Sequence, residues 1–287
     1  MKKILFAASE AVPFMKTGGL ADVTGSLPKY FDKKNYDVRV ILPKYVCMEE
    51  RWKGQLHFLC HFYVNLSWRK QYVGIFETTY DGITYYLVDN EFYFAGNAPY
   101  NNIYEDVEKF AFFSKAVLEA LPYLDFCPDI IHCHDWQTGL LPVFLRTLYG
   151  DEEYYTGIKT VFSIHNLKFQ GRWKLPAVMD ITGLPEQIFT SDKLESYGEA
   201  NYLKGGVVYA DAVTTVSPTY AYEITTPEGG EGLEGLMYAC RDKLSGILNG
   251  LDYTESRSRL MPTTTSMEPR RRSLMISMRS KVSTDRK

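Results

Sequence analysis

The run KTGGLADV, residues 16–23, decides the fold class that we predict for this chain of 287 residues. The apolar run ILFAA at residues 4–8 precedes it and predicts a short buried strand. Behind it, apolar residues recur at helical spacing over residues 20–31. The sequence therefore predicts a strand, a glycine turn and a helix in succession.

The glycine turn offers a place for an anion. Gly18 and Gly19 let a ligand approach the backbone closely, because neither carries a side chain. The N–H groups and dipole of the following helix N-terminus favour negative charge, and Lys16 adds a positive one. A phosphate or diphosphate suits such a turn. Many strand-to-helix turns carry glycine for geometry alone, so both interpretations stay open at this point.

The rest of the chain continues the alternation of strands and helices. Residues 37–43 predict a second strand, which completes a βαβ unit. Residues 56–88 alternate apolar and polar side chains around the hairpin turn Asp81-Gly82, and predict an antiparallel insert or sheet edge. The whole pattern predicts an α/β fold, a Rossmann-like doubly wound parallel sheet with an antiparallel insert.

Polar side chains stand where two later strands end. The predicted strand at residues 128–136 turns polar at its carboxyl end, which includes Asp135, and the predicted strand at residues 160–166 ends in His165 and Asn166. In open parallel sheets, ligands bind beyond the carboxyl ends of the strands. Right-handed crossovers place these ends and the glycine turn on one rim of the sheet. We therefore expect a ligand site at that rim.

The H-x-H-D sequence of His132, His134 and Asp135 allows a second hypothesis, a metallohydrolase site. The two histidines alternate on a strand and so share one face. A hydrolytic metal site needs three or more ligands and usually a second cluster, and the only later histidine is His165. We therefore favour a structural role for His132 and predict no bound metal.

Composition restricts the partners. The chain has 45% hydrophobic and 15% aromatic residues and a formal net charge of −3, which does not favour nucleic acid or an anionic membrane as a partner. No apolar run is long enough for a membrane span. The five cysteines form no C-x-x-C pair, so we expect reduced thiols and a cytoplasmic protein.

Blocks of sequence over residues 1–252 follow one another in the order KTGGLADV (16–23), HCHDWQTG (132–139), SIHNLKFQG (163–171), NYLKGG (201–206), SPTYA (217–221), GLEG (232–235) and GILNGLD (246–252). Together they closely resemble the bacterial glycogen synthases and plant starch synthases that use ADP-glucose. The resemblance implies two Rossmann-like domains of the GT-B type facing a cleft, of which residues 1–252 form the N-terminal one. It also implies transfer of glucose from ADP-glucose to the non-reducing end of an α-1,4-glucan with retention of configuration. ADP-glucose is then a donor substrate, and neither a cofactor nor a metal is expected.

The resemblance also implies roles for individual residues. Lys16 in the glycine motif contacts the phosphate or sugar of the donor. His165, with Asn166, holds the donor glucose, and Asp135 is the acidic group at the sugar-binding rim. Tyr100 is expected to line the same cleft. We therefore expect His165 and Asp135 to serve catalysis.

Residues 253–287 depart from the resemblance. From residue 254 onward there are nine Lys and Arg, three Asp and Glu, and no aromatic residue or glycine, so we expect a disordered tail. Our hypothesis is a reading-frame break after Tyr253, with a basic tail for RNA or membrane binding as its rival. With the family's second domain absent, we expect negligible transfer by this chain alone. Glucan binding without turnover is the alternative function.

Overall fold

The computed structural model describes residues 1–250. The predicted tail at residues 253–287 and the last part of the predicted domain therefore lie outside the described residues. Within residues 1–250 the strands are β1 (Lys2–Ala7), β2 (Tyr36–Pro43), β3 (His57–Leu66), β4 (Arg69–Tyr80), β5 (Ile83–Asp89), β6 (Ile130–His134), β7 (Lys159–Ile164), β8 (Arg172–Lys174), β9 (Glu195–Ser196), β10 (Glu199–Asn201), β11 (Ala212–Thr215) and β12 (Leu244–Gly246).

The α-helices of the same residues are α1 (Gly19–Ser26), α2 (Glu50–Lys53), α3 (Ile103–Ala120), α4 (Leu140–Thr147), α5 (Leu175–Thr182), α6 (Tyr202–Tyr209), α7 (Pro218–Glu223) and α8 (Glu234–Ala239). Side chains cap several of them. The Asn102 side chain accepts a hydrogen bond from the backbone N–H of Glu105 at the start of α3. At the start of α7 the Ser217 side chain accepts a hydrogen bond from the backbone N–H of Tyr220, and Pro218 occupies the first turn. None of the helices within residues 1–250 is long and apolar enough to cross a membrane.

The main sheet has nine strands in the order β12-β11-β7-β6-β1-β2-β5-β4-β3. Every neighbouring pair from β12 to β5 is parallel. The chain leaves β1 toward β2 on one side and later returns to place β6 on the other. The strand order therefore reverses at β1, and a doubly wound sheet of this kind leaves a crevice at that point. The predicted fold class is confirmed.

The antiparallel strands lie at one edge of this sheet. β4 pairs antiparallel with both β3 and β5. Asp81 and Gly82 connect β4 to β5 with φ values of 51° and 72°, the left-handed conformations that a two-residue hairpin turn requires. β5 itself is parallel to β2, so the last strand of the predicted antiparallel segment belongs to the parallel sheet. A separate sheet has the order β8-β10-β9.

Both faces of the main sheet are buried. Successive residues of β1 point to opposite faces: Leu5 packs into one apolar cluster with α3, α4 and α6, and Phe6 into another with the segment after β1. Two adjacent glycines let α6 approach its neighbours. A Cβ at Gly206 would overlap the ring of Phe162, and a Cβ at Gly205 would overlap Leu194. Close packing therefore explains the two adjacent glycines of α6.

Candidate functional site

A cavity of about 740 Å³ lies beyond the carboxyl ends of β1 and β6, where the strand order reverses. The loops that follow β1, β6 and β7 and the segment before α3 enclose it. Of the residues that the sequence predicts for the site, those lining this cavity are Gly18, Gly19, Tyr100, Asp135, His165 and Asn166. Segments far apart in the chain thus meet at one place, and this place is the crevice that the fold creates.

The glycine turn forms one side of the cavity. A Cβ built at Gly18 or Gly19 meets no protein atom within 4 Å, so packing within residues 1–250 does not require glycine at either position. Gly18 precedes α1 and provides no side-chain cap, which leaves the first N–H groups of that helix without a capping side chain. This geometry fits close approach of an anionic ligand better than a purely geometric role.

Lys16 differs from the other predicted site residues. Its ammonium group forms an ion pair with the carboxylate of Asp22, with an Nζ–Oδ1 distance of 2.5 Å. Lys16 does not line the cavity, although its neighbour Thr17 does. An exposed pair of this kind is weak, so a ligand phosphate can compete for the ammonium group. The role implied for Lys16 stays a prediction.

Glu10 is a site residue that the sequence reasoning missed. It lines the cavity, yet its exposed fraction is only 3%. Its carboxylate accepts hydrogen bonds from the backbone N–H and the hydroxyl of Thr17, and so holds the glycine turn against the end of β1. The signal available was its position: an acidic residue inside a buried stretch, three residues past a central strand, is unusual without a partner.

Tyr100 joins this network from the loop before α3. Its hydroxyl donates to Glu10 Oε1 at 2.8 Å and lies 2.8 Å from the hydroxyl of Ser9. Burial, with the adjacent negative charge of Glu10, raises the pKa of the Tyr100 phenol well above its usual value. Tyr100 therefore remains a hydrogen-bond donor at neutral pH and fixes the orientation of the Glu10 carboxylate.

Asp135 links the ends of β6 and β7. Its Oδ1 accepts a hydrogen bond from the backbone N–H of His165 at 2.7 Å. Asp135 adopts φ 55° and ψ −178°, a conformation that residues other than glycine rarely adopt. Burial raises the pKa of its carboxyl group, and the His165 hydrogen bond opposes that shift. The strained backbone thus aims a carboxylate across the rim and positions His165.

Histidines form a second layer behind the cavity. Nδ1 of His134 lies 3.0 Å from Nε2 of His165, and Nε2 of His132 lies 2.7 Å from the Ser163 hydroxyl. Burial lowers the pKa of His132 to about 3 and that of His134 well below its usual value, so both rings are neutral at physiological pH. The rings of His132 and His134 stack with centroids 4.3 Å apart. His134 therefore supports the ring of His165 from within the sheet.

The described residues give the metallohydrolase hypothesis no support. No group of three or more His, Cys, Asp or Glu side chains within residues 1–250 has the arrangement to hold a metal ion. The cavity combines instead a glycine turn, three carboxylates and a supported imidazole. Fold and site together define a doubly wound α/β domain with a polar cavity at its switch point, the place where such sheets bind ligands.

Comparison with known proteins gives the family. Residues 3–239 match the family described as the starch synthase catalytic domain. The chain is 65% identical over 255 residues to the glycogen synthase of Lachnoclostridium phytofermentans and 64% identical over 255 residues to that of Lachnospira eligens. These alignments cover 89% of this chain in both cases. The chain belongs to the glycogen and starch synthase family, and the resemblance read from its motifs is confirmed.

A solved structure agrees with this assignment. The catalytic domain of starch synthase IV from Arabidopsis thaliana, bound to ADP and acarbose, superposes with a TM-score of 0.80 at 32% identity. The match covers 88% of this chain and 52% of that one. The two glycogen synthases are each covered over 53% of their length. The chain therefore spans about half the length of the relatives that it matches.

Proposed function

We propose that this chain supplies one side of the catalytic cleft of a glycogen synthase, a retaining glycosyltransferase that uses ADP-glucose. The observation that carries the proposal is the convergence of Gly18, Gly19, Tyr100, Asp135, His165 and Asn166 in one cavity at the switch point. In the reaction, the bond between glucose C1 and the diphosphate breaks and ADP leaves with the electron pair. The acceptor 4-hydroxyl forms the new α-1,4 bond, and its proton passes to an oxygen of the departing diphosphate.

The proposed roles follow from the chemistry of each group. The N–H groups at Gly18 and Gly19 face negative charge that develops on the departing diphosphate, with Lys16 available as a cation. The imidazole of His165 and the amide of Asn166 hydrogen-bond the hydroxyls of the transferred glucose. Asp135 holds the His165 backbone at 2.7 Å and carries a negative charge near the sugar, where an oxocarbenium-like centre is positive.

The test uses a full-length chimera. Residues 1–250 of this chain replace the matching segment of the Lachnoclostridium phytofermentans glycogen synthase, and transfer from radiolabelled ADP-glucose to glycogen is measured. We expect His165→Ala to lower kcat/KM by about 100-fold, the usual effect of removing a donor that acts in the transition state. The matched control is His61→Ala, because His61 lies exposed on β3 and does not line this cavity.

The outcomes separate the two functions considered from the sequence. Loss of transfer in His165→Ala with normal transfer in His61→Ala supports the glucosyltransferase proposal. Equal transfer by both variants contradicts the role of this cavity. Retention of glycogen by a chimera that transfers no glucose favours the alternative, glucan binding without turnover.

A further inference from the structure

His134 is a buried polar residue to which the proposed transfer reaction gives no role. Its side chain is fully buried on β6, and its Nδ1 lies 3.0 Å from Nε2 of His165. Its other ring nitrogen, Nε2, is buried and has no hydrogen-bond partner within residues 1–250. His165 lines the cavity at the switch point, whereas His134 lies behind it. The contact between the two rings therefore affects what the cavity offers to a ligand.

The distance between the two rings requires one proton between their facing nitrogens. Burial lowers the pKa of His134 well below its usual value, so its ring is neutral and carries a single N–H. A neutral imidazole has one donor nitrogen and one acceptor nitrogen. Two arrangements therefore satisfy the contact. Either Nδ1–H of His134 donates to a bare Nε2 of His165, or Nε2–H of His165 donates to a bare Nδ1 of His134.

The buried Nε2 of His134 distinguishes these two arrangements. In the second arrangement the single proton of His134 sits on Nε2, which makes that atom a buried donor without an acceptor. The rings of Phe6 and His132 stack on the His134 ring, with centroids 5.2 Å and 4.3 Å away. Buried N–H groups without an acceptor are rarer in proteins than under-satisfied acceptors. This favours the first arrangement, in which His134 donates.

The charges at the cavity favour the same arrangement. Burial raises the pKa of the Asp135 carboxyl group, and the nearby His165 ring opposes that shift electrostatically, so the two groups lie close together. The carboxylates of Glu10 and Asp106 line the same cavity. Side-chain dipoles orient in the field of the charges around them. The N–H of His165 is therefore favoured on Nδ1, because Nε2 faces the neutral ring of His134 instead.

We propose that His134 is a positioning residue that fixes His165 in the Nδ1–H tautomer, so that His165 presents a hydrogen-bond donor to the ligand in the cavity. A hydroxyl group that accepts from this N–H can donate its own proton to a carboxylate of the cavity. In the opposite tautomer the imidazole and the carboxylates would all be acceptors, and one hydroxyl could not satisfy both. That this hydroxyl belongs to the glucose of the donor substrate rests on the proposed function, whereas the tautomer itself does not.

The test determines the tautomer directly in the full chain, by long-range proton–nitrogen correlation NMR with an isotope label in the histidine nitrogens. The chain has five histidines, and His165→Gln identifies the signals of His165 by removing them. The sample contains no ligand and is kept at about pH 8, where an ordinary histidine is neutral. Nε2 correlates strongly with both carbon-bound ring protons, whereas Nδ1 correlates strongly with only one. We expect the bare nitrogen of His165 to be Nε2. A bare Nδ1, or signals averaged between the two tautomers, would overturn the proposal.

Replacement of His134 tests its positioning role. In His134→Leu the donor is lost, so His165 should change to the Nε2–H tautomer or to averaged signals. His134→Asn can place a side-chain N–H near the position of Nδ1 and should keep His165 as in the unmodified chain. The matched control is Cys133→Ala, because Cys133 is equally buried on β6 but points to the other face of the sheet. An unchanged tautomer in His134→Leu, or an equal change in Cys133→Ala, would contradict the positioning role.

The same variants in the chimera measure the effect on transfer. His134→Leu is expected to lower kcat/KM about tenfold, the value of one well-oriented hydrogen bond, and Cys133→Ala to change it by about twofold or less. Equal losses of kcat/KM in the two variants would contradict a specific effect through His165. Failure of the proposed function has a different signature: the chimera then transfers no glucose, while the NMR spectra of the full chain still report the tautomer of His165.

Discussion

Replacement of Asp135 tests whether its carboxylate and its unusual backbone both matter. The Asp135 carboxylate accepts a hydrogen bond from the half-buried backbone N–H of His165 at 2.7 Å, and a hydrogen bond to a charged acceptor contributes about 1.5–3 kcal/mol. The φ value of 55° adds strain that glycine relieves, about 1 kcal/mol relative to alanine. We therefore expect Asp135→Ala to lower the free energy of unfolding by about 2–3 kcal/mol.

Two further variants at the same position divide that loss into its parts. Asp135→Gly should be about 1 kcal/mol more stable than Asp135→Ala, because it loses the acceptor but relieves the backbone. Asp135→Asn keeps an oxygen acceptor and carries the same backbone strain as the unmodified chain, so it should stay within about 1 kcal/mol of it. The expected order of stability is Asp, Asn, Gly, Ala.

Urea unfolding followed by circular dichroism measures these differences in the full chain. The control is Asp125→Ala, which removes an exposed carboxylate and should change the free energy of unfolding by about 0.5 kcal/mol or less. An Ala variant as stable as the Gly variant would refute the strain argument. An Asn variant as unstable as the Ala variant would refute the assignment of Asp135 as the acceptor for His165.

Two other predictions concern stability. Burial holds the pKa of His132 at about 3, against 6.5 when unfolded, so the unfolded state binds more protons below pH 6.5. When the pH falls from about 7.5 to about 5, the free energy of unfolding of the unmodified chain should decrease by about 2 kcal/mol more than that of His132→Gln, as measured by urea unfolding. Equal decreases in the two proteins would contradict this prediction. Gly139→Ala should lower the free energy of unfolding by about 1–3 kcal/mol, because a Cβ at this position would overlap the backbone carbonyl of Tyr202. Gly235→Ala in α8 should raise the free energy of unfolding by about 0.5 kcal/mol or more, because a Cβ there meets no atom within 4 Å. Equal changes at the two glycines would refute the packing argument.

The parts of the fold that local pattern determines could be predicted from the sequence. The apolar run at residues 4–8 predicts β1, the two adjacent glycines predict the turn, and the helical spacing of apolar residues after them predicts α1. The hairpin at Asp81 and Gly82 follows from a turn that requires positive φ. Polar residues at the ends of β6 and β7 predict the rim of the sheet, because parallel strands share the direction of their carboxyl ends.

The features that sequence did not predict depend on distant contacts. β5 pairs with β2, and an alternating pattern does not specify which strand is the partner. Glu10 gains its role only when Thr17 and Tyr100 fold onto it. Lys16 pairs with Asp22, six residues along the chain, because α1 turns that side chain back toward the loop. Such positions are settled by tertiary packing and not by residue type.

The central claim is that the cavity at the switch point is one side of a glucosyltransferase cleft. The most direct measurement is extension of maltohexaose by the chimera in the presence of ADP-glucose. The account predicts maltoheptaose, with the added glucose joined by an α-1,4 bond. A folded chimera that forms no maltoheptaose, under conditions where the parent glycogen synthase does, would contradict the account.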